Sequence, residues 1–433
     1  MNLWKNRIFK NVSWILLCKI VQALLGLMVS VFTARYLGPT NFGTINYAAS
    51  LVSFFSPIAL LGLNEVIVQE FVQKPEASGK TLGSAVIMTI GSSAVCMMGI
   101  AAFVFVTEKS ATETFIVCVL YSTILIFQAI ELTQYWFQAK LLSKYTAIIS
   151  LVAYIIFSAY RIYLLITQKS VFWFAVANSF DACMIAIAQV VLFKIKSGQN
   201  LIFTMQCCKQ LISKGKYYII ANLMVVVFAQ TDKIMLKMMI GEEATGLYSV
   251  AVHCVNMTAF IFSAIITSSR PVIFQSRLSS YDKYELNITR LYSVIIYAAI
   301  IQSAIITLLA VPMINILYGV EYLSAVSALR IVAWYTSFSY VGGIRNIWIL
   351  AEEKQRYILP VNIIGAITNV GLNFILIPIW GINGAAFASL ITQIVSNVIV
   401  VYLIKPLRKN NMLMLKALNP RLLLSLITKS KGN

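Results

Sequence analysis

Long apolar stretches recur along the whole chain and set its architecture. Charge-free runs occupy 36–64, 81–107, 244–269, 291–320 and 357–404, and shorter apolar runs with one or two charges fill the gaps. About 20 mainly apolar residues are needed for a helix that crosses a bilayer. The pattern predicts twelve such helices, at 12–33, 43–63, 81–107, 113–136, 145–167, 171–193, 217–240, 246–269, 290–316, 324–350, 357–378 and 382–404.

Composition agrees with this pattern. The chain has 433 residues, of which 60% are apolar and 11% charged, whereas a soluble domain has roughly 45–50% and 25%. We therefore predict an all-α polytopic membrane protein. The same numbers exclude a nucleic-acid binder, a disulfide scaffold and a disordered chain.

The formal net charge of +19 is explained by topology. If the N-terminus is cytoplasmic, the cytoplasmic segments contain 25 Lys and Arg residues, and the opposite loops contain only Arg35, Lys109 and Lys169. Cytoplasmic loops carry an excess of such residues. Both termini are therefore predicted to face the cytoplasm, and the basic charge calls for no nucleic acid as a partner.

An internal repeat suggests two halves. With an offset of 203 residues, Gly38, Gly43 and Ala48 match Gly241, Gly246 and Ala251. Both segments follow the first helix of a predicted six-helix half, and six intervening helices preserve the orientation. We predict parallel repeats at 1–200 and 201–433, an arrangement typical of transporters that bind substrate between their halves. Three matches alone are also compatible with chance.

Charged residues inside the predicted spans are the candidate site. A charge at the bilayer centre costs about 3 kcal/mol on insertion scales, so such groups face protein or a water-filled cavity. Six are basic and three are acidic: Lys19, Arg161, Lys233, Lys237, Arg330 and Arg345, with Glu131, Asp181 and Asp232. The basic excess favours a phosphate or diphosphate ligand. The acids are candidate coupling-ion residues.

Two other interpretations stay open. Arg161 with Asp181, or Asp232 with a neighbouring lysine, would form buried ion pairs, and Lys237 and Arg345 would extend to the interface from helix ends. Polar stripes on the last two helices would hold helices together. These stripes are Asn362, Asn369 and Asn373, and then Ser389, Gln393 and Asn397.

Three segments resemble the Wzx-type O-antigen flippases of the MOP superfamily (multidrug/oligosaccharidyl-lipid/polysaccharide exporters). The first is Ala34-Arg35-Tyr36-Leu37-Gly38-Pro39 with Phe42-Gly43 and Tyr47-Ala48. The second is Asp232-Lys233-Ile234-Met235-Leu236 with Gly241, Gly246 and Tyr248-Ser249-Val250-Ala251. The third is Asn369-Val370-Gly371-Leu372-Asn373 with Ile377-Pro378, Gly381-Ile382 and Gly384-Ala385-Ala386.

The resemblance implies two six-helix bundles around a central cavity in a bacterial inner membrane. It implies a substrate, an oligosaccharide repeat unit on undecaprenyl diphosphate, moved to the periplasmic leaflet by alternating access. It adds Arg35 to the candidate cavity residues and marks Asp232 as a motif position. No cofactor is expected beyond coupling to H⁺ or Na⁺, and the expected protein partners are a polysaccharide polymerase and a chain-length regulator.

Three rival functions remain. One is an ion-coupled small-molecule exporter of the same fold, which the basic excess disfavours for cationic drugs. Another is a membrane enzyme, a polysaccharide polymerase or glycosyltransferase, which the short outward loops disfavour. The third is a structural scaffold, which the intramembrane charges disfavour. We therefore expect a transporter and not an enzyme.

Overall fold

The fold is built from helices. The computed structural model describes residues 2–107 and 112–420, apart from the side chains of 2–17 and Glu65, so Lys109 and the basic tail beyond residue 420 lie outside it. No strand occurs in these ranges. The α-helices are α1 Asn2–Ala59, α2 Leu63–Gln73, α3 Ser78–Thr107, α4 Thr112–Ser122, α5 Ile124–Ile130, α6 Gln134–Ala139, α7 Ser143–Ile166, α8 Val171–Ser197, α9 Met205–Met239, α10 Glu242–Asn256, α11 Ala259–Ser279, α12 Tyr281–Leu317, α13 Val326–Ala351, α14 Ile358–Trp380, α15 Ile382–Ile394, α16 Val400–Leu403 and α17 Arg408–Lys416.

Every predicted span coincides with helical structure. In the described residues, nine helices are long and apolar enough to cross a membrane, or ten if α10 and α11, bent by 46°, form one span. That set counts α1 once, although α1 contains two predicted spans, and it leaves out the arginine-containing α13. The all-helical membrane fold is confirmed, and the number of twelve stays a prediction.

The first glycine of each copy of the internal repeat lies at a turn with a similar backbone conformation. Gly38, inside α1, has φ 69° and ψ 173°, and Gly241, before α10, has φ 134° and ψ −175°. This backbone region is nearly closed to residues that carry a Cβ atom. Two further helix connections place a glycine with positive φ at the same kind of bend, at Gly319 and Gly381.

The first compact unit is Met1–Val226. In it, α1 packs against α3, α4 and α7, and α8 packs against α4, α5 and α7. Residues 201–226, which the sequence assigned to the second half, pack here because the Ile202 amide donates to Gly79 O (3.2 Å) and Lys214 pairs with the buried Glu70. The predicted span 113–136 is interrupted by a 3₁₀ turn at Glu131–Thr133.

The second compact unit is Val227–Asn433, and the boundary between the units falls inside α9. Here α13 packs against α12 and α15, and α14 packs against α15. The short helix α17 is fixed to α12 because Lys409 pairs with Glu285 and the Tyr292 hydroxyl donates to Asn410 Oδ1 (2.8 Å). The hydrogen bond to Glu285 raises the pKa of Lys409 above its ordinary value.

Candidate functional site

Asp232 is the centre of a polar cluster inside the second unit. It lies on α9 and is only 5% exposed. Its Oδ1 accepts hydrogen bonds from Asn369 Nδ2 (3.1 Å) and Asn373 Nδ2 (2.6 Å). Its Oδ2 accepts from the Tyr248 hydroxyl (2.6 Å) and from Ser389 Oγ. One carboxylate therefore joins α9, α10, α14 and α15.

The spacing on α14 explains two of these contacts. Asn369 and Asn373 are four residues apart and so lie on the same helix face, and both are fully buried. Nδ2 of Asn373 also donates to Asn369 Oδ1 (3.1 Å). Two of the three members of the predicted asparagine stripe, Asn369 and Asn373, therefore lie on the side of α14 that faces Asp232.

All four donors to Asp232 are neutral. No described Lys, Arg or His nitrogen lies within 4.0 Å of its carboxylate, so the ion pair with a neighbouring lysine is absent from the described residues. Lys233, the next residue, is half-buried and near enough to interact with Asp232 electrostatically. A buried charge that is unpaired depends on its hydrogen bonds for stabilisation.

One oxygen of the cluster accepts no hydrogen bond from a described residue. Oδ1 of Asn373 is buried and has no hydrogen-bond partner among the described residues. Together with the Asp232 carboxylate, the Ser389 hydroxyl and the Tyr248 hydroxyl, it makes a set of hard oxygen ligands. Such oxygens are what hard cations take in proteins. The role of Asp232 as a coupling-ion residue stays a prediction.

A second charged cluster lies inside the first unit. Nη2 of Arg161 on α7 donates to Asn178 Oδ1 on α8 (2.7 Å), and Tyr154 lies near enough to interact with the same guanidinium. The charges of Arg161 and Asp181 interact, as do those of Asp181 and Glu131. Oδ1 of Asp181 is buried without a hydrogen-bond partner in the described part of the chain. The structure thus brings Glu131, Arg161 and Asp181 together, without a direct Arg161–Asp181 ion pair.

The remaining predicted cavity cations are on the surface of their units. Lys19 and Arg35 on α1 are exposed, and so is Arg330 on α13. Lys19 and Arg330 make no hydrogen bond or ion pair with any residue that the structure describes. Both keep their donors available for a ligand. Lys237, in contrast, is buried and pairs with Glu242 (2.8 Å).

Arg345 is buried and is used for internal contacts. It is 4% exposed, and its Nη1 donates to Ser396 O (3.0 Å) and Asn397 Oδ1 (2.8 Å). Ser396 and Asn397 belong to a π-helical turn at Val395–Ile399, a geometry that interrupts the regular carbonyl pairing. No described carboxylate lies within ion-pairing distance of Arg345. In this structure the residue joins α13 to the π turn.

This arrangement gives a first prediction. Arg345→Lys keeps the charge but lacks the planar fork of the guanidinium, so one ammonium cannot reach Ser396 O, Asn397 Oδ1 and Asn346 Oδ1 together. We expect the free energy of unfolding to fall by about 1–3 kcal/mol, because a buried acceptor is left unpaired. Thermal unfolding of the purified protein in detergent measures it. Arg330→Lys is the matched control, since Arg330 is exposed and unpaired within the described residues, and equal unfolding temperatures for the two variants would contradict the assignment.

Sequence reasoning found most of these residues but not how they combine. Asp232 was a coupling-ion candidate, whereas Asn369, Asn373 and Ser389 were only members of polar stripes. Tyr248 stands in one of the family motifs, and the sequence predicts no role for it. One sequence signal points to it, because Tyr248 lies on α10, which follows α9 in the chain directly after the Gly241 turn.

Comparison with known proteins identifies the family of this chain. Residues 8–277 match the family described as "Polysaccharide biosynthesis protein". An uncharacterized membrane protein of Methanocaldococcus jannaschii, MJ1068, is 22% identical over 420 residues, which cover 89% of this chain and 82% of that protein.

Two solved structures resemble the fold. Lipid II flippase MurJ in an inward closed conformation has a TM-score of 0.70 at 14% identity, covering 96% of this chain and 92% of MurJ. An inward-facing multidrug resistance MATE transporter of the MOP superfamily has a TM-score of 0.67 at 13% identity, covering 90% of this chain and 96% of the transporter. The chain is therefore a multi-pass membrane protein that belongs to the polysaccharide biosynthesis protein family and has the fold of the MOP superfamily.

Proposed function

We propose that the protein is a flippase for undecaprenyl-diphosphate-linked oligosaccharide repeat units of O-antigen or a related surface polysaccharide. It moves them from the cytoplasmic to the periplasmic leaflet of a bacterial inner membrane by alternating access. The observation that carries this proposal is the family match over residues 8–277. The similarity of this fold to that of lipid II flippase MurJ also supports it. The proposed step makes and breaks no covalent bond.

The chemistry of the substrate explains why a protein is needed. A sugar-diphosphate head group loses its hydrogen bonds to water if it enters hydrocarbon unaided, at a cost of several kcal/mol per polar group. A polar path shields the head group while the lipid tail stays in the bilayer. We assign cationic contacts with the diphosphate to Lys19, Arg35, Arg161, Lys233 and Arg330, and to Arg345 if the π turn opens. In a transporter, rigid rocking of two repeats suffices for alternating access.

We assign the coupling ion to Asp232. Asp232, Ser389 and the unused Oδ1 of Asn373 would hold a proton or Na⁺, whose binding supplies a change of charge at a buried carboxylate. Glu131 and Asp181 are the second candidates, since Asp181 Oδ1 is buried and unpartnered in the described residues. Transport driven by a Na⁺ gradient, compared with a pH gradient at equal membrane potential, distinguishes the two ions.

The decisive experiment is a translocation assay in proteoliposomes. The substrate is the native lipid-linked unit extracted from cells that lack this gene, and the readout is its accessibility to a membrane-impermeant enzyme. Translocation that depends on the protein supports the proposal. Uptake of a cationic drug without translocation of the unit would favour the small-molecule exporter. Formation of longer glycan chains would favour the polymerase.

A prediction follows for the exposed cations. Lys19→Ala and Arg330→Ala should each lower translocation several-fold, because a lost cation–phosphate contact costs about 1–3 kcal/mol. Protein level and unfolding temperature should be unchanged, since neither side chain has a partner within the described structure. Lys80→Ala, an exposed lysine outside the predicted spans, is the control. Normal translocation by both variants would remove these two residues from the substrate path.

A further inference from the structure

A cavity at one end of the first unit is the strongest unexplained feature. It has a volume of about 330 Å³ and lies between the ends of α6 and α8, the start of α7 and the turn after α2. Its lining residues are Pro75, Trp136, Lys140, Leu142, Lys196, Ser197 and Gln199. Two are cationic and none is acidic. The substrate path proposed above does not use it.

The walls of the cavity are held in place by other contacts. Gln199 bridges two segments, because its Oε1 accepts from the Gly79 amide (2.7 Å) and its Nε2 donates to Pro75 O (3.2 Å). Trp136 is 5% exposed and packs edge-on against Phe193, with ring centroids 5.1 Å apart. Packing and hydrogen bonds therefore hold the segments that form the cavity, and the side chains of Lys140 and Lys196 are exposed at it.

Both lysines are without a carboxylate partner in the part of the chain that the structure describes. Neither Lys140 nor Lys196 forms an ion pair with a residue that the structure describes, although Lys74, Lys214, Lys354 and Lys409 all do. The Lys196 ammonium lies 5.2 Å from the centre of the Tyr145 ring, a weaker interaction. Two cations at one cavity without an acid attract an anion.

The surroundings are apolar and lipid-like. Ile195, next to Lys196, is 70% exposed, and Leu141, next to Lys140, is 54% exposed. Trp136 and Tyr145 are the aromatic types that mark membrane–water interfaces. The same end of the unit contains 137–144 and 194–216, which the Lys and Arg distribution predicts to be cytoplasmic. Basic pockets between membrane helices on this side bind anionic lipid head groups.

We propose that this cavity is a binding site for the phosphate of an anionic glycerophospholipid of the cytoplasmic leaflet. Lys140 and Lys196 contact the phosphate oxygens, and the Ser197 hydroxyl is available as a further donor. The acyl chains lie along the exposed Leu141 and Ile195. A bound lipid would tie the α6–α7 connection to the end of α8.

Native mass spectrometry of the delipidated full-length protein tests the site. Titration with phosphatidylglycerol gives the affinity of the first bound lipid. Lys140→Gln combined with Lys196→Gln should weaken the affinity by about tenfold or more. Each lysine near a lipid phosphate adds to the binding free energy through the attraction of opposite charges. Lys80→Gln combined with Lys209→Gln is the matched control, since both residues are exposed lysines of the same unit outside the cavity, and should change the affinity less than twofold.

Three further outcomes decide the proposal. Lys140→Arg combined with Lys196→Arg should restore binding, which a purely structural effect of the lysines would not produce. Phosphatidylcholine should bind at least tenfold more weakly, since it has no net charge. Equal weakening by the cavity and control variants would overturn the proposal. Displacement of the lipid by millimolar inorganic phosphate would also overturn it, because the ligand would then be soluble phosphate.

Discussion

Asp232→Asn is expected to reduce translocation at least tenfold while leaving the protein folded. The amide has the shape of the carboxylate, so packing is retained. However, it carries no charge, and its amino group replaces one of the two oxygens. There it meets two of the present donors, either those of Asn369 and Asn373 or those of Tyr248 and Ser389. Each unsatisfied buried donor costs about 1–3 kcal/mol. The proposed coupling role needs a side chain that alternates between a charged and a neutralised form, and an amide cannot do this.

The measurement is the proteoliposome assay together with unfolding temperature and expression level. Asp282→Asn is the matched control, because Asp282 is an exposed acid in the first turn of α12. Its transport should equal that of the unaltered chain. Full transport by Asp232→Asn would show that the charge of Asp232 plays no part in coupling, and Glu131 and Asp181 would become the leading candidates.

Gly384→Ala is expected to produce the largest loss of stability. A Cβ atom at Gly384 would lie 2.1 Å from Leu376 O, 2.5 Å from Leu376 C and 3.0 Å from Ile377 N. These are backbone atoms of α14 and cannot move aside as a flexible side chain does. Overpacking costs about 1–3 kcal/mol or more. Since α14 and α15 both supply donors to Asp232, translocation should fall as well.

Gly371→Ala provides the contrasting result. Gly371 is in the same unit on α14, and a Cβ atom there would have no described heavy atom within 4 Å beyond its own stretch of helix. Alanine is favoured over glycine in a helix by about 0.5–1 kcal/mol. The unfolding temperature should therefore stay equal or rise. Thermal unfolding of both variants in the same detergent checks the pair, and a similar loss in each would contradict the close approach of α14 and α15.

The hydrophobic pattern was sufficient for the element type and the membrane environment. Each predicted span coincides with helix, because a backbone in hydrocarbon has to satisfy its own hydrogen bonds. Breaks within spans were harder to predict. The 3₁₀ turn at Glu131 and the bend between α10 and α11 are decided by packing, and neither contains proline or glycine.

The roles of individual side chains were also harder to predict than their positions within spans. The sequence identified Arg345 and Lys237 as charges within spans, but it could not distinguish an internal role from contact with a ligand. The structure shows Arg345 bound to a π turn and Lys237 paired with Glu242. Such partners can be far apart in the chain, 51 residues in the case of Arg345 and Ser396, and no local pattern encodes a contact over that separation.

Composition, periodicity and short motifs were enough to predict the family, the helical membrane fold and which charged residues lie within spans. No sequence pattern indicates the cluster that helix packing forms from Asp232, Asn369, Asn373, Ser389 and Tyr248. Four helices contribute to it, and hydrogen bonds require distances that only packing of those helices provides. The same holds for the two lysines of the lipid cavity, Lys140 and Lys196, which are 56 residues apart in sequence.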